Sequence, residues 1–402
     1  MKNFIRSSIK IALLNLSIVA LLGVLMRYKI GFEFPYLDQK HLLHGHSHFA
    51  FAGWLTHILF VLLVVFLHQK SRSDLDLKKY KYLIFANLIS AYGMLVCFIW
   101  QGYGAFSITF STLQILIGFY FAWCYIRDLR YVAESHPSKP WFKAALLLNV
   151  LSSIGTFYLG YMMMSKNFDQ HSYLASVYFY LHFQYSGWFF FACMGLIMDR
   201  LYAMDQGRKF GRIFWMFALA CIPAYLLSVL WAKLPLYLFA LAIVAVVLQL
   251  FGLAYFLQVI RMLWAKIMTQ WNQTIRYLLF MSLGALVIKL LLQAGSIHPE
   301  ISKLAYGFRS IVIAYLHLVL LVLLTIFILG YLLLQGHIAN TPRVRLGLII
   351  FCTGVFLNEL VLMIQGIASF GYILIPYLNQ SLFVISACML IGAVTMLIYH
   401  KK

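Results

Sequence analysis

Thirteen histidines are spread over the 402 residues of the chain, and their surroundings divide them into two groups. His68, His136, His171, His298, His337 and His400 stand among turn-forming or charged residues, where an imidazole is ordinarily a loop group. The others stand in apolar runs. One run opens His41-Leu-Leu-His44-Gly-His46-Ser-His48 and continues through Gly53 and Trp54 to His57. A second reads Tyr180-Leu-His182-Phe-Gln184-Tyr185-Ser186-Gly187, and a third Tyr315-Leu-His317. Imidazole ligates iron, copper and zinc alike, so these runs predict a metal or haem site without choosing the metal. At about 100° per residue His41, His44 and His48 share one helical face. His46 points the other way, with Ala50, Gly53 and His57. Ala50 and Gly53 leave that second face shallow enough for a flat macrocycle or for a neighbouring helix, and both readings stand.

The elements that hold these histidines are membrane helices. The chain is 63% hydrophobic and 10% charged. No water-soluble domain could cover that much apolar surface. Runs of about 20 apolar residues, the length that crosses a bilayer, are predicted at 10–28, 44–67, 80–100, 105–126, 143–164, 175–198, 212–231, 236–258, 276–296, 309–334, 346–368 and 380–399. The first is read as a span rather than a signal peptide, because no small-residue cleavage site follows it. With the N-terminus assigned to the cytoplasm, the cytoplasmic segments carry 23 of the 31 lysines and arginines. That bias follows the positive-inside rule. The expectation is therefore an all-α membrane protein: residues 1–402 as a single domain of twelve spans with both termini cytoplasmic, a multi-pass protein of the bacterial inner membrane. The net charge of +20 is then topological, with anionic lipid and not nucleic acid as its partner.

In this topology predicted helices six and ten both run inward from the outer surface. His182 and His317 then lie about 10–13 Å into their spans at 1.5 Å per residue, and His48 lies in the same leaflet. Lys289 on helix nine and Glu359 on helix eleven belong to that layer too. An unpaired charge at such depth is costly. Lys289 and Glu359 pair to fix helix packing, or Glu359 carries protons and Lys289 neutralises an anion such as a haem propionate. The six cysteines form no CxxC, so neither a zinc knuckle nor covalent haem attachment is offered; all six lie in apolar runs, as small hydrophobes.

Histidines on helices two, six and ten of a twelve-span chain resemble the haem–copper oxidase subunit I superfamily, which includes the terminal oxidases and membrane nitric oxide reductases. His44 followed by Gly53 looks like that family's low-spin-haem segment. His182-Phe-Gln-Tyr-Ser186-Gly187 looks like the helix-six copper-ligand segment of the nitric oxide reductase branch, with Ser186 where a glutamate is usual. Helix seven lacks the family's adjacent histidine pair, and helix ten has only His317. His46-Ser-His48-Phe-Ala-Phe-Ala-Gly53 also matches the HxHxxxxG pattern of the NnrS family, haem- and copper-containing membrane proteins associated with nitric oxide tolerance.

The resemblance implies an oxidase-like helical bundle holding haem b through His44, His46 or His48 and His317. It also implies copper or another non-haem metal at His182, with His48 if that histidine is left over. Tyr185, Glu359 and Lys289 are the candidates for proton or charge handling. Membrane quinol or a cytochrome subunit would supply electrons, and nitric oxide or oxygen would be the gas ligand of a possible oxidoreductase. The competing expectation is a twelve-span secondary transporter with a histidine-lined proton or metal site. Against it stand a short connection between helices six and seven, Asp199 to Gly211, and no visible internal repeat.

Overall fold

A computed structural model describes residues 2–71, 75–166, 169–207, 210–302 and 308–401. Arg72, Arg208, Lys209, Lys303 and Lys402, five of the basic residues used in the charge argument, lie outside the described residues. Among the described residues the chain is helical, with no strand. The long helices are α1 (Lys2–Gly31), α2 (Gln39–Lys70), α3 (Lys78–Gln101), α4 (Ala105–Asp128) and α5 (Ser138–Ser165). Next come α6 (Gln170–His182, Phe183–Phe189 and Phe190–Met204 in unbroken succession), α7 (Gly211–Ala232), α8 (Leu236–Met262) and α9 (Gln273–Gly295). The last are α10 (Arg309–Leu334), α11 (Pro342–Phe370) and α12 (Leu378–Tyr399). Eleven of them are long and apolar enough to cross a membrane. The other is α6, whose apolar stretch is diluted by His182, Gln184, Ser186, Asp199 and Arg200.

The helices overrun the predicted spans, because polar residues cap them beyond the apolar core. Asp38 accepts the His41 amide at 2.8 Å, Asp169 that of Ser172 at 2.8 Å, and Asn272 that of Ile275 at 3.0 Å. Each side chain takes up one of the amides that a helix start leaves without a partner. The Asp38 cap brings His41 and His44 inside α2, where the hydropathy pattern alone begins the span at 44. Protein encloses 94% of the most apolar stretch of α2, against 28–44% for the other ten. Elsewhere large apolar side chains face outward, among them Phe85, Val96, Phe251, Phe356 and Ile367. Such a surface suits lipid contact and not water.

Contacts group the chain into two compact units, Met1–Cys124 with Leu329–Lys402, and Tyr125–Ile328. In the first, α11 and α12 approach through glycines: a Cβ on Gly392 would lie 2.6 Å from the Phe351 nitrogen and 2.8 Å from the Gly347 oxygen. In the second, Ala220 and Ala224 of α7 pack on Ala242 and Ala245 of α8. Small residues permit such close backbone approach, which is how membrane helices gain contact without a hydrophobic drive between them.

Three helices contain a π-helical stretch. The segments Ala50–Thr56 in α2, Phe183–Phe189 in α6 and Leu318–Thr325 in α10 are π-helical. Each follows a histidine, His48 by one intervening residue and His182 and His317 directly, and the three histidines stand at nearly equal intervals along the chain. A π turn displaces carbonyls from their usual partners, and neighbouring side chains take them up. Within the first unit Asn15 of α1 donates to the Gly53 carbonyl at 2.5 Å and Asn87 of α3 to that of Ala52 at 3.2 Å. Within the second, Ser282 of α9 donates to the Leu323 carbonyl at 2.7 Å. The order of histidine and π segment thus recurs three times along the chain.

Candidate functional site

In the first unit, the two faces of α2 meet different neighbours, as the helical periodicity predicts. His44 and His48 face the α3–α4 turn. The His48 ring stacks on Phe98 with centroids 4.2 Å apart, and its Nε2 lies 3.2 Å from the Tyr103 hydroxyl. The His44 ring stands edge-on to Tyr103 at 4.6 Å. Its Nε2 is enclosed and meets no hydrogen-bond partner. His41 reaches the same turn: a Cβ on Gly102 would lie 2.5 Å from its Nε2, and Gly102 has φ +63°. Only glycine both clears the ring and adopts that backbone cheaply.

The opposite face of α2 is occupied by α1. His46 Cε1 would lie 3.8 Å from a Cβ on Gly23, and His57 Nε2 donates to the Ser8 carbonyl at 3.1 Å. The shallow surface at Gly53 is filled by the Phe49 ring, which a Cβ there would meet at 2.6 Å, and by the Asn15 amide. Of the two readings open for that face, helix packing is the one observed.

In the second unit His182 is 1% exposed, and its Nε2 donates to the Cys221 carbonyl at 2.9 Å. The local sequence explains why that carbonyl is available. Pro223 starts a 3₁₀ segment, and the Tyr225 amide bonds to Ile222 and not to Cys221. The Cys221 oxygen thus loses its helical donor. A carbonyl only accepts, so His182 is protonated on Nε2 and carries its lone pair on Nδ1, which is enclosed with no partner. His317 commits Nδ1 to the Ile313 carbonyl at 2.8 Å. The buried Tyr185 ring lies 6.2 Å from that of Tyr315.

Lys289 is 3% exposed and donates to Gln293 at 2.9 Å. It is close enough to His182 and to Cys221 for its charge to act on both. Glu359 is half-buried in the first unit and accepts from Asn358 at 3.1 Å. Lys289 and Glu359 belong to different units, and each has a partner on its own helix.

These surroundings differ in what they would hold. An enclosed imidazole nitrogen without a partner, as at His44, would be free to ligate haem iron. A carbonyl bond on the other nitrogen, as at His182 and His317, is the usual arrangement of a metal-binding histidine. Copper asks for more. Among the described residues no three His, Cys, Asp or Glu side chains converge to hold an ion. That donor set does not make a copper centre. Residues passed over in the sequence also matter: Asn15, Asn87, Tyr103, Gln249 and the Cys221 backbone. Asn15, Asn87 and Gln249 are polar residues inside apolar runs, which is the signal that would have found them. Compared with known protein families and with curated proteins, the chain matches none.

Proposed function

We propose that this chain is a haem-binding membrane protein of the haem–copper oxidase subunit I kind that acts on, or responds to, nitric oxide or oxygen. In this reading α1 to α12 are twelve spans of an oxidase-like bundle in a bacterial inner membrane, with both termini cytoplasmic. The observation that carries it is His44, with its enclosed, unpartnered Nε2 on a ring braced by Tyr103. His317, with Nδ1 tied to its own helix, is the ligand candidate of the second unit. The recurrence of histidine and π segment on α2, α6 and α10 supports the reading, since π turns gather at functional sites.

Bound haem b would supply iron that binds the gas and passes it single electrons, delivered by membrane quinol or a separate cytochrome subunit. The chain's own contribution is positional. Phe98 and Tyr103 hold the His44 and His48 rings. Tyr185 and Glu359 are the proton-handling candidates, one buried near Tyr315 and the other half-exposed on α11.

The test is a reduced-minus-oxidised and haemochrome spectrum of the full chain, expressed with ample haem and purified in mild detergent. A b-type spectrum is expected, lost in His44→Ala or His317→Ala and kept in His41→Ala. A colourless wild-type protein would overturn the reading and leave the secondary transporter in its place.

A further inference from the structure

The second unit holds a polar cavity that the haem reading leaves without a role. It lies among Ser186 of α6, Cys221 of α7, Gln249 of α8 and Lys289 of α9, closed by Phe190 and Phe217, and has room for about one water-sized molecule. All four polar residues are more than nine-tenths buried. Ser186 Oγ and Gln249 Oε1 meet no hydrogen-bond partner. Lys289 uses one of its three N–H groups on Gln293, and no carboxylate pairs with it among the described residues.

A buried ammonium without a counter-ion is among the costliest groups a protein can carry. The side chains around this one do not offset it. Gln293 and Gln249 are neutral, and His182, whose Nε2–H is spent on the Cys221 carbonyl, carries no negative charge in either protonation state. A metal ion would add a second positive charge. A small anion would supply the missing negative charge, accept the remaining lysine protons and take the idle Ser186 hydroxyl proton. The Gln249 amide joins through its N–H2 when that group is turned inward, a choice of orientation that heavy-atom positions leave open. With room for about one water-sized molecule between two phenylalanines, the cavity limits an anion to a monatomic one, seated by a small outward shift of the rings, and shuts out sulfate or phosphate.

We propose that Lys289, Ser186 and Gln249 form a binding site for one chloride-sized monovalent anion inside the helical bundle. This site stands independently of haem binding. The test is thermal unfolding of the detergent-purified wild-type chain in sodium chloride, bromide, gluconate and sulfate at equal ionic strength. Chloride and bromide are expected to raise the midpoint saturably by about 2–4 °C over gluconate and sulfate, the size of a ligand bound well above its Kd. Ser186→Ala, a small change that removes one donor, is expected to weaken the halide's apparent affinity about 5–10-fold. Lys289→Met is expected to abolish the halide effect and to melt in gluconate no lower than wild type. A wild-type midpoint indifferent to halide would overturn the proposal. So would a halide effect undiminished in both variants. Neither outcome bears on the haem spectrum.

Discussion

His182 Nε2 donates to the Cys221 main-chain carbonyl across 2.9 Å, so that α6 closes a gap which Pro223 opens in α7. Removing the donor leaves a buried carbonyl with nothing to bond to, at a cost of about 1–3 kcal/mol. His182→Phe, similar in bulk, is expected to lower stability by that amount in denaturant titrations. His182→Gln, which keeps an N–H donor, is expected to lose less. Equal stability of His182→Phe and wild type would show that the bond is not formed.

Asn15 links three helices, donating to Gly53 on α2 and accepting from the Tyr92 hydroxyl on α3 at 2.6 Å. Asn15→Leu keeps the bulk and removes both bonds. The expected loss is about 2–3 kcal/mol, measured by thermal unfolding. Asn87→Leu breaks one longer bond to the same π segment and is expected to cost less.

The α11–α12 crossing predicts a contrast between two glycines. At Gly392 a Cβ would press on backbone atoms of Phe351 and Gly347, which cannot swing aside; at Gly284 it would meet nothing within 4 Å. Gly392→Ala is expected to destabilise by about 1–3 kcal/mol through overpacking. Gly284→Ala is expected to be neutral, or to stabilise by up to about 1 kcal/mol through helix propensity. Parallel melts of the two variants read the difference.

One acid-sensitive contact lies outside the spans. Lys139, 3% exposed, donates to Glu134 in the α4–α5 connection and to the Val132 carbonyl at 3.3 Å. The hydrogen bond from Lys139, and then its charge, hold the Glu134 carboxyl below its ordinary value of 4.5. The folded state therefore favours the ionised carboxylate. Its contribution is full above pH 4.5 and is lost as pH falls through the lower folded value. Glu134→Gln is expected to flatten that part of the stability profile, seen in melts between about pH 3 and 6. An unchanged acid limb would mean that the carboxylate does not favour the folded chain.

Local properties were legible in the residues themselves. Apolar length located the helices, and even the dilution of α6 is visible as His182, Gln184 and Ser186 in an apolar run. The period of 3.6 correctly separated His44 and His48 from His46, because the helix is regular as far as His48. Beyond that point local rules give out. A π turn is chosen when some neighbour can bond the carbonyls it displaces, and those neighbours, Asn15 and Asn87 for α2 and Ser282 for α9 against α10, are remote in sequence. Cys221 read as a small hydrophobe. Its thiol makes only a long contact, 3.9 Å, to the Ser186 carbonyl, and it is the backbone oxygen, freed by a proline two residues on, that receives His182. Lys289 announced itself as a charge inside a span, but its setting of Ser186, Gln249 and Cys221 needed four helices brought side by side. Hydropathy and capping are settled within a few residues of chain; the partner of a freed carbonyl or a buried charge is settled only by which helices abut.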